Sequence, residues 1–490
     1  MKSFIKRLVP KNFLGYYHQA LAHLSAFVYN YPSEKMIVIG VTGTNGKSTT
    51  VNLIAKALEA GGNKVGATST VNFKVADKEW LNDKKMTMLG RFQLQKLLKQ
   101  MVTAGCKYAV IEVSSEGIKQ FRHSAINFDY VVFTNLTPEH LESHGGFENY
   151  KKAKGELFNG LTLKNKKTVG GRVVQKIAVI NLDDANADYF LQFKADKKIG
   201  FAAINQGGLA DFRAKKVEKF ICAKNVQASR EGTGFEVEPL DATRGDINRR
   251  VRLKLIGAFN VENALPAIAI AEQEGVEFEK IKQGLENVAV VPGRMEFIDE
   301  GQDFDILVDY APEPASMGKL YEAVNVLSET SKTSETSKTS ETSEKKGKVI
   351  HVLGSCGGGR DKARRPILGK MAGEKADIVI VTNEDPYDDD PMEIIDQVAE
   401  GAIQAGKKLN KNLFKILDRR VAIAKALSFA TIGDLVLITG KGAEQAMAVA
   451  GGKHVKWDDR EVVKELLKLK ERDERDKQDK LLTPVVSSFY

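Results

Sequence analysis

Short apolar runs alternate along the first part of the chain with segments whose apolar residues recur at helical spacing. Five runs fit buried strands of a parallel sheet: residues 36–39, 64–67, 108–113, 130–134 and 177–182. Between them, Thr50–Ala60 and Phe92–Val102 each place apolar side chains on one helical face. This alternation, from residue 36 to about 205, predicts a doubly wound α/β domain.

The pattern changes to a two-residue alternation over about 212–256, and it is clearest at 251–255. A period of two is typical of strands with one buried face, so this stretch predicts an antiparallel extension of the sheet. Helices are predicted to follow at 261–274 and 277–287. We therefore place the first large domain at 36–291.

A second α/β domain is predicted over 292–467. Its expected strands are the compact apolar runs 305–308, 349–353, 378–382, 413–416 and 435–439. Inside it, the Ser-Glu-Thr-Ser-Lys-Thr repeats of 328–346 are too polar to bury a core and predict a disordered surface loop. A charged tail occupies 468–490.

Residues 1–35 fit one or two short amphipathic helices. Three alternatives are open for this segment: it packs on its own domain, it lies on a membrane, or it contacts a partner.

Composition narrows the class of protein. The chain has 490 residues, of which 42% are apolar and 28% charged, as in an ordinary soluble protein. No run reaches the length of a membrane span, no signal peptide is evident, and the three cysteines are too few for a disulfide framework. We therefore expect a cytoplasmic protein. The net charge of +9 fits either nucleic acid or anionic small substrates, and the lack of a basic stripe with interleaved aromatic residues favours the small substrates.

The glycine-rich stretch Gly40–Thr49 lies between a predicted strand and a predicted helix. Glycines let backbone N–H groups point inward and a helix N-terminus adds positive potential, so this layout suits a bound phosphate. Lys47 can reach the terminal phosphates of a nucleotide, and the Ser48 hydroxyl can ligate Mg²⁺. The strict P-loop pattern has glycine where this chain has Val41, so the stretch is a variant. The alternative is a tight glycine turn with a chance Gly-Lys-Ser sequence.

Polar side chains follow three further predicted elements. Glu112 closes one strand, where a carboxylate could hold Mg²⁺ opposite Ser48. Thr134–His140 closes the next strand, and Tyr150–Phe158 comes after it. Because α/β sheets bind ligands at the carboxyl ends of their strands, these clusters point to one site. Taken singly, each has an ordinary explanation, since a histidine after a strand is usually structural and a lysine on a helix is usually solvated.

In their order along the chain these pieces resemble the Mur ligase family. The matching motifs begin with Gly43-Thr-Asn-Gly-Lys-Ser48, Glu112-Val-Ser-Ser115, Thr134-Asn-Leu-x-x-Glu-His140-Leu-x-x-His-Gly145 and Tyr150-x-x-Ala-Lys154. They continue with Gly257–Asn263, Pro292–Glu296, Val308–Ala311, Gly358–Lys362, Gly440–Glu444 and Trp457–Arg460. The resemblance covers about residues 36–465 and is greatest to the ligases that add the third residue of the peptidoglycan stem peptide. It implies a P-loop central domain and a Rossmann-like C-terminal domain.

The resemblance implies a role for each matching position. Catalytic roles fall to Lys47, Glu112, His140 and Lys154. Two Mg²⁺ ions would be held by Ser48, Glu112, His140 and a carbamylated Lys154. ATP would be bound by Gly43, Thr44, Asn45, Gly46, Lys47, Ser48, Thr49, Asn260, Asn263, Arg294 and Asp309. The acceptor would be bound by Thr87, Ser114, Gln120 and Arg122, and the incoming amino acid by Arg360, Glu384, Asp385, Pro386, Tyr387, Gly440 and Glu444.

The implied reaction adds an amino acid to a UDP-N-acetylmuramoyl-dipeptide in peptidoglycan precursor synthesis. The acceptor carboxylate becomes an acyl phosphate, and attack by the amine then gives an amide, ADP and phosphate. The implied partners are these anionic precursors and a free amino acid, and we expect a monomer.

Several positions depart from the family pattern. The segment before Gly40 is shorter than the family's uridine-binding domain, and Pro312 and Ala443 replace family histidines. Tyr387 stands where ligases for meso-diaminopimelate carry an arginine. The acidic run 388–390 would suit an amine-tipped side chain, so we favour lysine or another diamino acid. The alternative is that this run is a solvated loop.

Two other functions stay open at this stage. A Mur-type amide ligase for a different carboxylate, such as a lipid-linked wall precursor or a poly-amino-acid, fits the short segment before Gly40. A non-catalytic nucleotide-binding partner subunit fits the P-loop, although the retention of Lys47, Glu112, His140 and Lys154 argues against it. Phosphate release with candidate substrates separates the three.

Overall fold

The computed structural model describes residues 11–139, 141–203, 217–238, 249–330 and 347–482. These residues fold as two compact units, and the main boundary along the chain lies between Val291 and Pro292. Within the described ranges, no helix combines the length and the hydropathy that crossing a membrane requires. His140 and residues 331–346 of the predicted polar insert lie outside these ranges.

The first unit is built on an 11-stranded sheet. In chain order the strands before Pro292 are β1 (Ile37–Thr42), β2 (Val65–Thr68), β3 (Asn72–Val75), β4 (Lys78–Leu81), β5 (Tyr108–Glu112), β6 (Tyr130–Phe133), β7 (Thr168–Val169), β8 (Arg172–Val173), β9 (Ile177–Asn181), β10 (Lys197–Ala203), β11 (Lys219–Ser229), β12 (Gly232–Glu238) and β13 (Arg250–Leu253). The sheet order is β13-β12-β11-β10-β9-β6-β1-β5-β2-β3-β4, and β7 and β8 form a separate hairpin. The strands from β11 to β2 run parallel, whereas both edges are antiparallel. This arrangement confirms the doubly wound sheet and its antiparallel extension.

Helices cover both faces of this sheet. In chain order they are α1 (Lys11–Val28), α2 (Lys47–Ala60), α3 (Arg91–Thr103), α4 (Ser115–Lys119), α5 (Leu141–His144), α6 (Phe147–Asn159), α7 (Ala187–Leu191), α8 (Phe259–Gln273) and α9 (Phe278–Glu286). One core packs α2, α8 and α9 against the sheet, and the other packs α3, α6 and α7 against it. The central strands are buried on both faces, which is why their sequences are continuous apolar runs.

The N-terminal helix α1 packs on its own domain, which is one of the three alternatives that the sequence leaves open. Its buried Ala22 and Ala26 form a small cluster with Ala125. Other apolar side chains of the same helix, including Tyr16 and Phe27, are exposed. Small residues on one face therefore allow a close approach to the domain, while the aromatic residues lie on the opposite face.

The second unit is built on a 6-stranded sheet in the order β14-β15-β19-β16-β17-β18. Its strands are β14 (Glu296–Phe297), β15 (Asp305–Asp309), β16 (Val349–Leu353), β17 (Ile378–Thr382), β18 (Leu413–Ile416) and β19 (Leu435–Thr439), and β20 (Ala446–Val449) pairs with β21 (Lys453–Lys456). All pairs in the larger sheet are parallel except β14 with β15. The helices after Pro292 are α10 (Pro314–Thr330), α11 (Arg364–Lys375), α12 (Pro391–Gln404), α13 (Arg419–Phe429) and α14 (Asp459–Leu482). Of these, α10 belongs to the first unit from Gly318 onward. The second α/β fold is thus confirmed.

A buried ion pair joins two helices of this second unit. Arg419 begins α13 and Asp459 begins α14, and both side chains are fully buried. The guanidinium donates to both carboxylate oxygens at 2.8 Å. Bidentate geometry of this kind compensates for the loss of water around the two charges.

Candidate active site

The phosphate-binding loop joins the carboxyl end of β1 to the N-terminus of α2. Gly46 has a left-handed φ of +80° directly before α2. A Cβ at this position would overlap the side-chain oxygen of Asn263, so both the backbone angle and the space require glycine. The N-terminus of α2 has no side-chain cap, and its first backbone N–H groups are available to a phosphate.

Two residues after β6 brace this loop. The Thr134 hydroxyl donates to the carbonyl of Asn45 at 2.8 Å, and the Asn45 N–H donates to the side-chain oxygen of Asn135 at 2.8 Å. The Lys47 ammonium donates to the carbonyl of Thr44 at 2.7 Å. The predicted loop residues therefore lie together, held by side chains of the neighbouring strand end.

Ser48 and Glu112 form the predicted magnesium pair. Strands β1 and β5 are neighbours, with Val41 opposite Glu112, and this register brings the carboxylate beside the loop. The buried Glu112 carboxylate accepts hydrogen bonds from the Ser48 hydroxyl and from the Thr70 backbone N–H, each at 2.7 Å. A hydroxyl and a carboxylate are oxygen ligands of the kind that Mg²⁺ prefers, so these residues fit the ion. Thr70 is absent from the sequence-based predictions, because a lone threonine after a short strand forms no distinctive pattern.

Lys154 lies inside the same site. Its side chain is buried, and its ammonium donates to the carbonyl of Gly43 at 2.6 Å. It also lies 4.4 Å from the centre of the Tyr150 ring. Burial lowers the pKa of Lys154 well below its usual value, and the nearby positive charge of Lys47 lowers this pKa further. The uncharged amine, which is the nucleophilic form, is therefore favoured far more than in an exposed lysine.

A second polar group lines the loop on the side of α6. The Tyr150 hydroxyl lies 3.2 Å from the Thr44 hydroxyl and 3.3 Å from a carboxylate oxygen of Glu139. His140, the next residue along, lies outside the described residues. Its role in a second metal site stays a prediction.

Asn260 and Asn263 lie on α8 against the phosphate-binding loop. The Asn263 amide donates to the side-chain oxygen of Asn260 at 3.0 Å, and the Asn260 amide donates to the carbonyl of Ile256 at 2.8 Å. Both residues are buried, and Asn263 lies next to Gly46. The structure thus brings both to the nucleotide loop, whereas their contact with adenine stays a prediction.

The predicted acceptor residues form a continuous group beside Glu112. The Thr70 hydroxyl lies 3.1 Å from Glu112 Oε1 and 3.0 Å from the Thr87 hydroxyl. Ser114 caps α4 and accepts from the N–H of Gly117 at 3.1 Å. Gln120 and Arg122 follow α4, and the Arg122 guanidinium donates to the Gln120 side-chain oxygen at 2.7 Å.

Arg294 and Asp309, the two predicted ATP residues of the second unit, lie at one turn. The buried Asp309 carboxylate accepts from the N–H groups of Met295 and Ala311, each at 2.8 Å. Burial raises the pKa of Asp309, and the positive charge of Arg294 partly opposes that shift. The Arg294 guanidinium lies 4.4 Å from the centre of the Tyr310 ring. Their binding of ATP stays a prediction.

Two acidic residues predicted to recognise the amino acid are buried after β17. Glu384 accepts from the Cys356 thiol at 2.8 Å. Burial raises the pKa of Glu384, and the neighbouring Asp385 raises it further. The fully buried Lys441 ammonium pairs with Asp385 at 3.0 Å and also with Glu444. Lys441 therefore links Asp385 with Glu444. It lies within the motif Gly440–Glu444, but the sequence did not predict a role for it.

Gly440 directly follows β19, and Pro386 and Tyr387 follow β17. Gly440 has a φ of +109°, and a Cβ there would overlap the carboxylate of Glu384. Tyr387, which follows Pro386, has a left-handed φ of +53° and donates its N–H to the Ala448 carbonyl at 3.3 Å. Arg360 is half-buried in the loop between β16 and α11.

The acidic run 388–390 is engaged by intramolecular partners. Asp388 accepts from the N–H of Gly451 at 2.8 Å, Asp389 lies 3.5 Å from the Arg365 guanidinium, and Asp390 caps α12. Each carboxylate thus has a local structural role. These contacts argue against the use of the run as a recognition surface for a diamine.

Replacing Gly46 by alanine is expected to abolish detectable ATP binding, because the side chain would occupy the position of the Asn263 amide and strain the left-handed backbone. Gly62→Ala is the matched control, since Gly62 has a similar φ of +81° but nothing within 4 Å of the added Cβ. We expect this control to lower the free energy of unfolding by about 1–2 kcal/mol and leave ATP affinity unchanged. Calorimetric titration measures the ATP affinity of both variants, and denaturant unfolding measures their stability. Equal ATP affinities in the two variants would contradict the assignment of this loop.

Comparison with known proteins agrees with this geometry. Residues 41–271 match the family described as Mur ligase middle domain, and residues 293–442 match the Mur ligase, glutamate ligase domain. The chain is 39% identical over 445 residues to a UDP-N-acetylmuramyl-tripeptide synthetase of Roseiflexus sp. (strain RS-1), covering 90% of this chain and 80% of that protein. It is 34% identical over 448 residues to a UDP-N-acetylmuramoyl-L-alanyl-D-glutamate--2,6-diaminopimelate ligase of Caldanaerobacter subterraneus subsp. tengcongensis, covering 91% and 81%.

Solved structures give the same result for the fold. A UDP-N-acetylmuramoyl-L-alanyl-D-glutamate--2,6-diaminopimelate ligase aligns with a TM-score of 0.55 and 26% identity over 92% of this chain and 83% of that one. A folylpolyglutamate synthase of Mycobacterium tuberculosis aligns with a TM-score of 0.59 over 86% and 92%, but at 15% identity it supports the fold alone. The chain therefore belongs to the Mur ligase family of ATP-dependent, ADP-forming amide ligases.

Proposed function

We propose that this enzyme adds a diamino acid, with lysine favoured, to a UDP-N-acetylmuramoyl-dipeptide in peptidoglycan precursor synthesis. The observation that carries the proposal is the meeting of the phosphate loop, the Ser48–Glu112 pair at 2.7 Å and the buried Lys154 in one site, with the predicted acceptor residues adjoining it. One relative is named a UDP-N-acetylmuramyl-tripeptide synthetase, and another is named for joining 2,6-diaminopimelate to the same class of acceptor. We place the reaction in the cytoplasm and propose a monomer.

The oxygen donors of the site fit magnesium. Ser48 and Glu112 would hold one ion, which would supply positive charge to the nucleotide phosphates. Lys154, once carbamylated, and His140 would hold a second ion. Thr70 fixes the Glu112 carboxylate through two hydrogen bonds, so its oxygens keep one orientation.

The neutral form of the Lys154 amine, which burial favours, is the form that can become a carbamate. The nitrogen lone pair of the neutral amine attacks carbon dioxide, a carbon–nitrogen bond forms, and one proton leaves to give an anionic carbamate. Burial keeps a larger share of this lysine neutral, which favours the step. The product carries oxygen atoms in place of a cation, which suits a magnesium ligand.

The residues of the loop then promote phosphoryl transfer. An acceptor carboxylate oxygen attacks the γ-phosphorus, the bond to the ADP oxygen breaks, and an acyl phosphate forms. Lys47 and the N–H groups at the start of α2 stabilise the charge on the transferring phosphoryl group. The amino acid amine attacks the acyl carbon, inorganic phosphate leaves, and the amine loses a proton to give the amide.

The preference for a diamine rests on residues near β17. Tyr387 replaces the arginine of the ligases that add meso-diaminopimelate, so the chain lacks that partner for a distal carboxylate. Glu384 and Asp385 provide buried acidic groups in the same unit, and Glu444 is half-buried. The run 388–390 is engaged by local partners, and Lys441 pairs with both Asp385 and Glu444, so Glu384 is the acidic side chain that we assign to recognition.

A panel of amino acids tests this function. Purified enzyme with ATP, Mg²⁺ and UDP-N-acetylmuramoyl-L-alanyl-D-glutamate should release phosphate with lysine or ornithine at a kcat/KM at least about 100-fold above that for meso-diaminopimelate, the size expected from one unpaired carboxylate. Mass spectrometry of the product identifies the added residue. Turnover with another carboxylate acceptor alone would favour the alternative ligase, and tight ATP binding without turnover on any acceptor would favour a non-catalytic subunit.

A further inference from the structure

Two arginine side chains lie together beside the predicted acceptor residues. Arg91 is the first residue of α3, and Arg122 follows α4. Arg91 donates to the backbone carbonyl of Gln120, while Arg122 donates to the side-chain oxygen of the same residue at 2.7 and 3.2 Å. Arg122 also donates to the carbonyl of Met88. Both guanidinium groups are thus held in place through one glutamine.

Neutral oxygens are the hydrogen-bond acceptors of these two cations. Among the described residues, no carboxylate oxygen lies within 4.0 Å of either guanidinium. Glu116 is the nearest acidic influence, and it is bound to the side-chain nitrogen of Gln120 at 2.6 Å. Two half-buried positive charges therefore share a site without a directly paired negative charge, which is costly unless an anion binds there.

The pKa values of Arg91 and Arg122 are both lowered. Burial lowers the pKa of Arg122, and the charge of Arg91 lowers it further, against an opposing effect of Glu116. Burial also lowers the pKa of Arg91, with Tyr17 opposing. The Nε atom of Arg91 is buried and has no hydrogen-bond partner among the described residues. The charged forms are thus less stabilised than in solvent, and a bound anion would reverse this.

The start of helix α3 adds to the positive potential. Gly90 precedes the helix without a side-chain cap, and the first turn contains no acidic residue. A cation at a helix N-terminus is unfavourable, because the backbone dipoles already place partial positive charge there. Arg91 occupies this position, so its positive charge is unfavourable there unless an anion is bound.

A series of polar groups connects the predicted magnesium ligand Glu112 with the two arginines. The line runs from Glu112 through the hydroxyl groups of Thr70 and Thr87, and the residue after Thr87 is Met88, whose carbonyl holds Arg122. An acceptor whose reacting carboxylate lies near Glu112 would extend along this wall. Such an acceptor brings further oxyanions, namely a diphosphate and the second carboxylate of its terminal glutamate.

We propose that Arg91, together with Arg122, binds an unreacted oxyanion of the acceptor and makes Arg91 a determinant of specificity for acidic acceptors. The proposal rests on the proposed function, which supplies the acceptor. It assigns a role to Arg91, which the sequence motifs leave without one. The shared chemistry is an oxyanion held by two guanidinium groups at a helix N-terminus.

Arg91→Gln tests the assignment by steady-state kinetics. Loss of one charged hydrogen-bond donor is expected to raise the KM for UDP-N-acetylmuramoyl-L-alanyl-D-glutamate about 10- to 100-fold and leave the KM for ATP unchanged. Arg91→Lys should recover part of the loss, since it restores the charge without the planar fork. Lys96→Gln removes an exposed charge from the same helix and should change neither KM.

Two modified acceptors identify the oxyanion. One carries a carboxamide in place of the second glutamate carboxylate, and the other lacks the nucleotide diphosphate. The acceptor that has lost the relevant group should show equal KM values with the wild-type enzyme and with Arg91→Gln. If Arg91→Gln lowers kcat and the unfolding temperature and raises both KM values, the residue is structural and the proposal is wrong. An unchanged acceptor KM also overturns it.

The proposed function and this inference fail in different ways. If the wild-type enzyme does not turn over the muramoyl acceptor, the function is wrong. The arginine pair is then tested by thermal unfolding of protein saturated with a non-hydrolysable ATP analogue, with inorganic pyrophosphate as the probe. Stabilisation of wild type that is lost in Arg91→Gln and retained in Lys96→Gln supports the anion site, and equal stabilisation of all three excludes it.

Discussion

Lys154→Ala is expected to lower kcat by at least about 1000-fold, because the variant loses the group that we propose becomes an anionic ligand at the reacting phosphates. The wild-type side chain is buried at the loop and bonded to the carbonyl of Gly43 at 2.6 Å, so alanine leaves a cavity beside the site. Short carboxylic acids such as formate, acetate and propionate can enter such a cavity and supply the missing carboxylate. We expect them to restore part of the activity. Phosphate release measured against acid concentration gives the result.

The control for Lys154→Ala is Lys152→Ala, which removes an exposed lysine from the same helix and should keep full activity. A direct readout is also available, because protein equilibrated with ¹³C-bicarbonate should show a carbamate carbon resonance that Lys154→Ala lacks. Full activity in Lys154→Ala would remove the carbamate role. Loss of activity with a large drop in unfolding temperature and no rescue by acids would indicate a structural lysine.

The pH dependence of the carbamate has a defined direction. The pKa of Lys154 is lowered, so the neutral amine is already populated at pH values where an exposed lysine is fully charged. Lowering the pH through this reduced pKa protonates the amine and opposes carbamate formation. The carbamate resonance should therefore weaken as the pH is lowered through this pKa.

The strands were predictable from sequence because burial on both faces leaves a readable signature. The predicted runs 349–353, 378–382, 413–416 and 435–439 coincide with β16, β17, β18 and β19, and the helix predicted at 92–102 spans Arg91–Thr103. The edge hairpin of β3 and β4 was not predictable in this way. Residues 78–80 of β4 are exposed, so the hairpin has no apolar run to reveal it.

Some residues of the site were also predictable from sequence, and others were not. The loop, Glu112 and Lys154 belong to motifs with a definite order, and the structure places them together. Thr70 and Arg91 are single residues whose importance comes from neighbours distant in sequence, so no local pattern marks them. The acidic run 388–390 shows the reverse problem, because three adjacent aspartates form a clear pattern whose members serve separate structural contacts.

Lys47→Met is expected to lower kcat about 10³- to 10⁵-fold, the range found when a cation that contacts a transferring phosphoryl group is removed. The Lys47 ammonium is 2.7 Å from the carbonyl of Thr44, at the start of α2 and beside the loop glycines. Methionine keeps the length of the side chain and the helix propensity but removes the charge. The loss should therefore fall on the chemical step.

Rapid-quench measurement of acyl phosphate formation separates this effect of Lys47→Met from weaker binding. At saturating ATP, the variant should form the acyl phosphate slowly, while the later attack by the amine on that intermediate is unaffected. Lys56→Met on the same helix is the control, because Lys56 pairs with Glu59 and Glu79 at the surface and should leave the rate unchanged. A variant that forms the acyl phosphate at the wild-type rate would show that the loop lysine does not act on the phosphoryl group. Glu112 and Lys154 are assigned to the same phosphoryl transfer because they lie at this loop. That result would therefore also contradict their assigned roles at the nucleotide phosphates.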